Sequence, residues 1–322
     1  MITLALDRYD RHFPFFDGTA DLPAGLELKV LQVGQSNRLR DGRDRHERML
    51  KKSEFDAAET SLASYVVSKA KGLPFTAIPV FPRRLFSQGQ IYINADSGIR
   101  TPADLEGRTV GLQSFQTTLA VLAKGDLAAD YGVPLTSIRW RLQNADVLET
   151  QNTRGFDIAN LPEGTDLGTA LATGEIDALF FSRTPRAQSG PQDRIRRLFE
   201  DPRAAEEEYV RSHGYWPIMH ILALKEESVA ARPDLPVKLM EAFASAGAIA
   251  ADYLNDPNWS QIVWAKYALD RERRAFEKSL WTSGVAANHA NLERFIGYAF
   301  DQGLIDRRIA VKELFHSSVQ ET

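Results

Sequence analysis

The chain is 322 residues long, 43% hydrophobic, 10% aromatic and 25% charged, a globular balance that excludes collagen-like repeats, low complexity and wholesale disorder. Its 39 Lys and Arg against 43 Asp and Glu leave a formal charge of -4, so no strong field favours nucleic acid as a partner. No cysteine is present, which excludes disulfides, a thiolate nucleophile, iron–sulfur ligation and the common structural zinc sites.

Ile2 to Leu6 is interrupted at once by Asp7 and Arg8, so the N-terminus reads as a first strand and not as a secretory signal. With Met1 as the start, a cytoplasmic protein is expected. No apolar stretch approaches the roughly 18–20 residues of a bilayer span, so no membrane partner is expected either. Leu26 to Leu31 is a second strand candidate and Phe55-Asp56-Ala57-Ala58 a short third. Between them Arg38, Arg40, Arg43, Arg45 and Arg48 run together, but Asp41, Asp44 and Glu47 neutralise much of the run, which reads as a solvated loop. After the third strand, Thr60 or Ser61 can cap a helix carrying Leu62, Tyr65, Val66 and Lys69, closed by Gly72. Phe75 to Val80 follows as a buried strand, ended by a Phe81-Pro82 turn, and Gln90 to Asn94 as another.

In the middle third, Thr101-Pro102-Ala103-Asp104 is a composed helix start. The strand Thr109 to Leu112 leads through Gln113 to Thr117 into a helix near Thr118. Asp166 to Ala172 is helical, Gly174 stops it, and Ile176 to Phe181 is a strand. These are βα units, which imply a largely parallel sheet with helices on both faces. The last third is mainly helical, with apolar stripes at Met240, Phe243, Ala244, Gly247, Ala251 and Leu254, and at Leu292, Phe295, Ile296, Ala299 and Phe300. The expectation is an α/β protein of two lobes. Residues 1–97 and 205–322 form a discontinuous first lobe, and residues 98–204 an inserted second one. In such folds ligands bind beyond the carboxyl ends of strands, which selects the candidate residues.

Glu59 stands between strand and cap, where a carboxylate can donate a proton or simply bond the first helical turn. Thr60 can cap or offer a hydroxyl to a ligand. Arg83 and Arg84 follow a strand, and a guanidinium fork matches a carboxylate bidentately; a surface ion pair is the plainer role. Gln113, Gln116 and Thr117 occupy a strand-to-helix turn, where free N–H groups attract anions or are capped. His220, beside apolar Ile221 to Leu224, is a general acid or a satisfied structural histidine. His46 leads into the Met49-Leu50 helix and is expected to overhang the cleft. None of the six histidines pairs at i, i+4, so no metal site is supported, although a divalent ion is left open. No hydrolase, nucleotide-binding or zinc-protease motif is present.

Glu54 to Tyr65, Phe75 to Arg84, Ile91-Tyr92-Ile93-Asn94, Pro217-Ile218-Met219-His220, and Gln302-Gly303-Leu304 through Glu313-Leu314-Phe315 resemble the 4,5-dihydroxyphthalate decarboxylase family. The resemblance implies a type 2 periplasmic-binding-protein-like fold closing on a small aromatic carboxylate. It implies loss of carbon dioxide after protonation of the ring, without an organic cofactor. Arg83 or Arg84 would clamp the carboxylate, Glu59 or His220 would act as acid, and Gln113 and Thr117 would orient the substrate. The chain departs from the family at Thr282-Ser283-Gly284-Val285 and at Asn288-His289, where Pro-Tyr-Gly and Asn-Arg are expected. His289 therefore stands for an arginine at the cleft. A cytoplasmic solute-binding protein and a dehydratase on the same scaffold are the alternatives, and a homo-oligomer is left open.

Overall fold

The structure, a computed structural model, describes residues 1–34, 44–150, 154–276 and 279–322, so Arg38, Arg40, Asp41 and Arg43 of the basic run lie outside the described residues. In chain order the strands are Ile2–Leu6 (β1), Leu28–Gln32 (β2), Ala57–Ser61 (β3), Phe75–Arg84 (β4), Ile91–Asn94 (β5), Thr109–Leu112 (β6), Arg139–Leu142 (β7), Asp157–Asn160 (β8), Ala178–Phe180 (β9), Ile195–Arg197 (β10) and Ile218–Lys225 (β11). The helices are Phe13–Asp17 (α1), Arg45–Leu50 (α2), Leu62–Ala70 (α3), Thr118–Tyr131 (α4), Leu167–Thr173 (α5), Pro202–His213 (α6), Glu226–Ala231 (α7), Leu235–Tyr253 (α8), Ala265–Ala275 (α9) and His289–Asp301 (α10).

Two sheets result, ordered β2-β1-β3-β11-β4 and β10-β5-β9-β6-β7-β8. β1 to β3 are parallel, as are β9, β6, β7 and β8, while β11 runs antiparallel between β3 and β4. Leu4, Ala5 and Leu6, Ala57 and Ala58, and Ile221 to Leu224 are wholly buried. Such near-continuous apolar runs are what strands covered on both faces require. β5 pairs with β9 and β10 in the second sheet, whereas the expected division at residue 97 assigns it to the first lobe. The chain passes from the first sheet to the second between Arg84 and Ile91, and back between Arg197 and Ile218.

Local chemistry sets the ends of the elements that matter. β3 and β4 both run further than their apolar residues suggest, because the backbone ladder with β11 carries them through Glu59-Thr60-Ser61 and to Arg83-Arg84. Ser61 rather than Thr60 caps α3, accepting the Ser64 N–H at 3.4 Å. Thr117 caps α4 through the Ala120 N–H at 3.3 Å. The core of α4 lies against α10 at Gly125, where an added Cβ would sit 2.1 Å from the Tyr298 ring, so glycine permits the close crossing.

The α10 stripe is buried as expected except for the half-buried Phe300. In α8 the buried face is instead Leu235, Leu239, Ala242, Phe243, Ala246 and Ala250, with Ala244 and Ala251 exposed. Alanines stand all around this helix and mark no face; the rings of Phe15 and His12, which meet Phe243 at centroid separations of 4.8 and 5.8 Å, decide it. Among the described residues no helix is long and apolar enough to cross a membrane.

Candidate functional site

Side chains two apart on a strand share a face, so Glu59 and Ser61 of β3 point the same way. His220 of β11 stands opposite Ser61 on one side and opposite Arg83 of β4 on the other. The register between β11 and β4 shifts on both sides of His220, a bulge of the kind that re-aims side chains at a sheet's edge. Pairing and pleat together bring Glu59, His220 and Arg83 to the carboxyl ends of β3 and β4. The ends of β6, β7 and β9, with Gln113, Asn144 and Ser182, face them across a cleft of about 440 Å³.

Glu59 has no exposed surface and does not line the cleft. Its carboxylate accepts the Asp7 N–H at 2.9 Å and the Tyr9 hydroxyl at 3.3 Å, lies 3.2 Å from Arg45 Nη2, and takes a short hydrogen bond from His220 Nδ1. Burial pushes the Glu59 carboxyl upward, but the Arg45 and His220 side chains outweigh it and hold the group well below 4.5. Glu59 is thus ionised and acts on His220, not on the cleft. Arg45 is the counter-ion that the reading of a solvated loop missed: it is buried, with Nε on the Glu59 carbonyl at 2.7 Å and Nη1 on the Val33 carbonyl at 2.5 Å.

His220 lines the cleft, and burial, partly offset by Glu59, lowers it to about 4. At neutral pH it is an uncharged imidazole whose Nδ1–H is given to Glu59, leaving the Nε2 lone pair free. His46 also lines the cleft, with its ring centroid 5.1 Å from that of His220 in an edge-to-face arrangement. Its Nδ1 accepts the Ser61 N–H at 3.0 Å, and burial, with His220 and Arg45 close by, lowers it to about 3. Neutral His46 therefore carries its proton on Nε2. The two imidazoles have opposite tautomers.

Arg83 is half-buried in the cleft wall; its Nη2 donates to the Ser182 carbonyl at 3.3 Å, and it has no ion pair among the described residues. Arg84, on the opposite face of the same strand, is not available as a clamp. Its guanidinium is buried and donates to the Trp216 and Thr282 carbonyls and to Asn288 Oδ1 at 2.6, 2.8 and 2.6 Å. Without a counter-ion among the described residues, burial lowers Arg84 to about 9. Thr282, at the first departure, and Asn288, which precedes the second, thus sit around Arg84 and not in the cleft lining. His289 is exposed beside Glu293 at 3.8 Å and lies outside the cleft. Thr60 is wholly buried, its hydroxyl on the Ala58 carbonyl at 3.1 Å, and does not line the cleft.

On the second lobe, Gln113 and Thr117 line the cleft as expected. Gln116 lines it too, but both ends of its amide are engaged by Leu148, at 2.8 and 3.2 Å, so it braces the turn. Lys124, unremarked in the sequence, is fully buried beneath that turn, 3.1 Å from the Phe115 carbonyl and 2.9 Å above the Phe115 ring. Burial holds its ammonium well below 10.5. The N-termini of α3 and α4 meet across the cleft, where Ser61 Oγ and Thr118 Oγ1 lie 2.9 Å apart and Thr118 Oγ1 accepts the Ala63 N–H at 3.2 Å. Both dipoles favour an anion between them. No three His, Asp or Glu side chains converge as a metal site among the described residues.

A sequence profile described as NMT1/THI5 like matches residues 24–159. The chain is 31% identical over 330 residues to the 4,5-dihydroxyphthalate decarboxylase of Comamonas testosteroni, covering 100% of this chain and 98% of that one. It is 30% identical over 230 residues to the enzyme of the same name from Pseudomonas putida, covering 66% and 83%. Among solved structures, the periplasmic aliphatic sulphonate binding protein SsuA from Escherichia coli superposes with a TM-score of 0.55 at 11% identity, covering 99% of this chain and 98% of that one. Protein AF1704 from Archaeoglobus fulgidus gives 0.56 at 12% identity, covering 94% and 98%. These likenesses establish the two-lobed periplasmic-binding-protein-like fold.

Proposed function

The chain belongs to the 4,5-dihydroxyphthalate decarboxylase family, and we propose that it removes carbon dioxide from a hydroxylated aromatic carboxylate without oxidation. The observation that carries this reading is the cleft-lining His220, held from behind by the buried, ionised Glu59 and flanked by Arg83 on the neighbouring strand. A cleft that only held an anion would have use for Arg83 and the two helix N-termini. It would have none for an imidazole oriented by a buried carboxylate.

In this reading Arg83 pairs with the carboxylate that stays on the ring. The negative charge of the bound substrate raises the proton affinity of His220, which becomes an imidazolium stabilised by Glu59. His220 Nε2 then gives its proton to the ring carbon that bears the other carboxylate. The carbon–carbon bond to that carboxylate breaks, its electron pair restores the aromatic ring, and carbon dioxide departs. A hydroxyl para to the protonated carbon feeds electron density into the ring meanwhile. The steps are redox-neutral and leave His220 uncharged, ready to take a proton from water. Closure of the lobes keeps the carboxylate from being stabilised by solvent.

The test is incubation of the purified protein with 4,5-dihydroxyphthalate and with hydroxybenzoates, following carbon dioxide and the ultraviolet spectrum. Release of one carbon dioxide per ring supports the reading. Tight binding with no spectral change overturns it in favour of a solute-binding protein, the role named for the structurally similar SsuA.

A further inference from the structure

Two imidazoles share the cleft wall, and the function proposed above uses only one. His46 and His220 lie edge to face with centroids 5.1 Å apart, yet their surroundings fix them in complementary states. His220 turns Nδ1 to a carboxylate and His46 turns Nδ1 to a backbone N–H, that of Ser61 at 3.0 Å. A backbone N–H can only donate, so the nitrogen facing it must be the acceptor. The His46 proton is thereby confined to Nε2, which has no partner among the described residues. We propose that His46 is the residue that selects a ring bearing oxygen para to the departing carboxylate, by donating its Nε2–H to that oxygen.

Three observations support the assignment, which rests on the decarboxylation reading. The two imidazoles line the same cleft with ring centroids 5.1 Å apart, so an aromatic ring that presents a carbon to His220 also lies within reach of His46. The donor is uncharged: burial, and then His220 and Arg45, oppose a second proton on His46. An uncharged donor can recognise the para oxygen at least cost to the reaction, because electron density must flow from that oxygen into the ring and a cation there would hold it back more strongly. Finally, Ser61, which locks the tautomer, is itself held by Thr118 across the cleft at 2.9 Å. The donor is therefore set in the same arrangement that brings the lobes together.

The experiment measures equilibrium binding of phthalate and of 4-hydroxyphthalate to the full chain by calorimetry, for the wild type, His46→Phe and His46→Gln. The wild type is expected to prefer the hydroxylated ligand by about tenfold, the scale of one hydrogen bond. His46→Phe should abolish that preference. His46→Gln, whose amide can both accept from Ser61 and donate to the ligand, should restore much of it. An undiminished preference in His46→Phe overturns the assignment. So does an equal loss of affinity for both ligands in His46→Phe and His46→Gln, which would make His46 a wall and not a selector. Carbon dioxide is followed in the same titrations, so a wild type that discriminates between the ligands without releasing it would defeat the decarboxylase reading and leave the selector standing.

Discussion

Glu59 Oε1 receives the Nδ1–H of His220 from beneath the cleft floor, so the carboxylate that precedes the helix cap orients the imidazole without itself lining the cleft. Replacing Glu59 by Gln keeps the shape and removes the charge. Turnover is expected to fall by roughly 10³–10⁴, because the imidazole loses both its tautomer and the stabilisation of its charged form. The KM should change little. Arg45 is left without its counter-ion, so unfolding should also become easier by about 3–5 kcal/mol. Steady-state kinetics and thermal unfolding separate the two effects, and an unaltered kcat would remove Glu59 from the proton path.

Arg83 and Arg84 are adjacent in sequence and opposite in role. Arg83→Ala should weaken binding of an aromatic carboxylate by about 2–5 kcal/mol with little change in stability. Arg84→Ala should do the reverse, because the Trp216 and Thr282 carbonyls and Asn288 Oδ1 lose their donor, at a cost of about 3 kcal/mol. Calorimetric titration and thermal melts of both variants read the difference.

Buried His12 and His220 and half-buried His46 shape the response to acid. His12, His46 and His220 are lowered from 6.5 to about 4, 3 and 4, in each case chiefly by burial. Below pH 6.5 the unfolded chain binds protons that the folded protein refuses, so stability falls as pH drops from 6.5 toward 4. Each group contributes a slope of about 1.4 kcal/mol per pH unit. Glu59, depressed below 4.5, adds its own loss only beneath that value. Chemical denaturation between pH 4.5 and 8 should show a decline that steepens under 6.5; a profile that does not steepen down to pH 5 would contradict the lowering of these rings by burial.

Gly125→Ala tests the crossing of α4 and α10. The added methyl meets the Tyr298 ring at 2.1 Å, and that ring is held by its hydroxyl on Asp126 Oδ1 at 3.0 Å. Overpacking should lower stability by about 1–3 kcal/mol despite alanine's better helix propensity. An increase in the melting temperature would show the contact to be softer than described.

The strands and the two-sheet plan could be read from apolar runs and glycine stops, since Ile2 to Leu6, Thr109 to Leu112 and Phe75 to Val80 carry the signal in their own side chains. Strand ends could not be read, because Glu59 to Ser61 and Arg83-Arg84 are polar and only their ladder with β11 extends them. Glu59 and His220 were recognisable as a pair of interest. Which of them faces the cleft depends on the pleat and on the β11 register, neither of which local composition encodes. Arg45 was lost in a mixed-charge run, since nothing local distinguishes it from Arg48, which pairs with Glu54 on the surface. His289 was assigned by position within a resemblance, and its helix turns it outward.

The irregular pairing of β4 with β11 has a practical corollary. β4 spends more residues between Ile78 and Arg83 than β11 spends between Leu222 and His220, and the slack is tied off at Pro79, whose carbonyl accepts the Gly284 N–H at 2.8 Å, and at Pro82, whose carbonyl takes the Arg11 Nε at 2.7 Å. Trimming or lengthening that surplus by one amino acid is expected to turn the arginine dipeptide over, presenting Arg84 to the cleft in place of Arg83. Engineering aimed at ligands of another size has its adjustable spacer here.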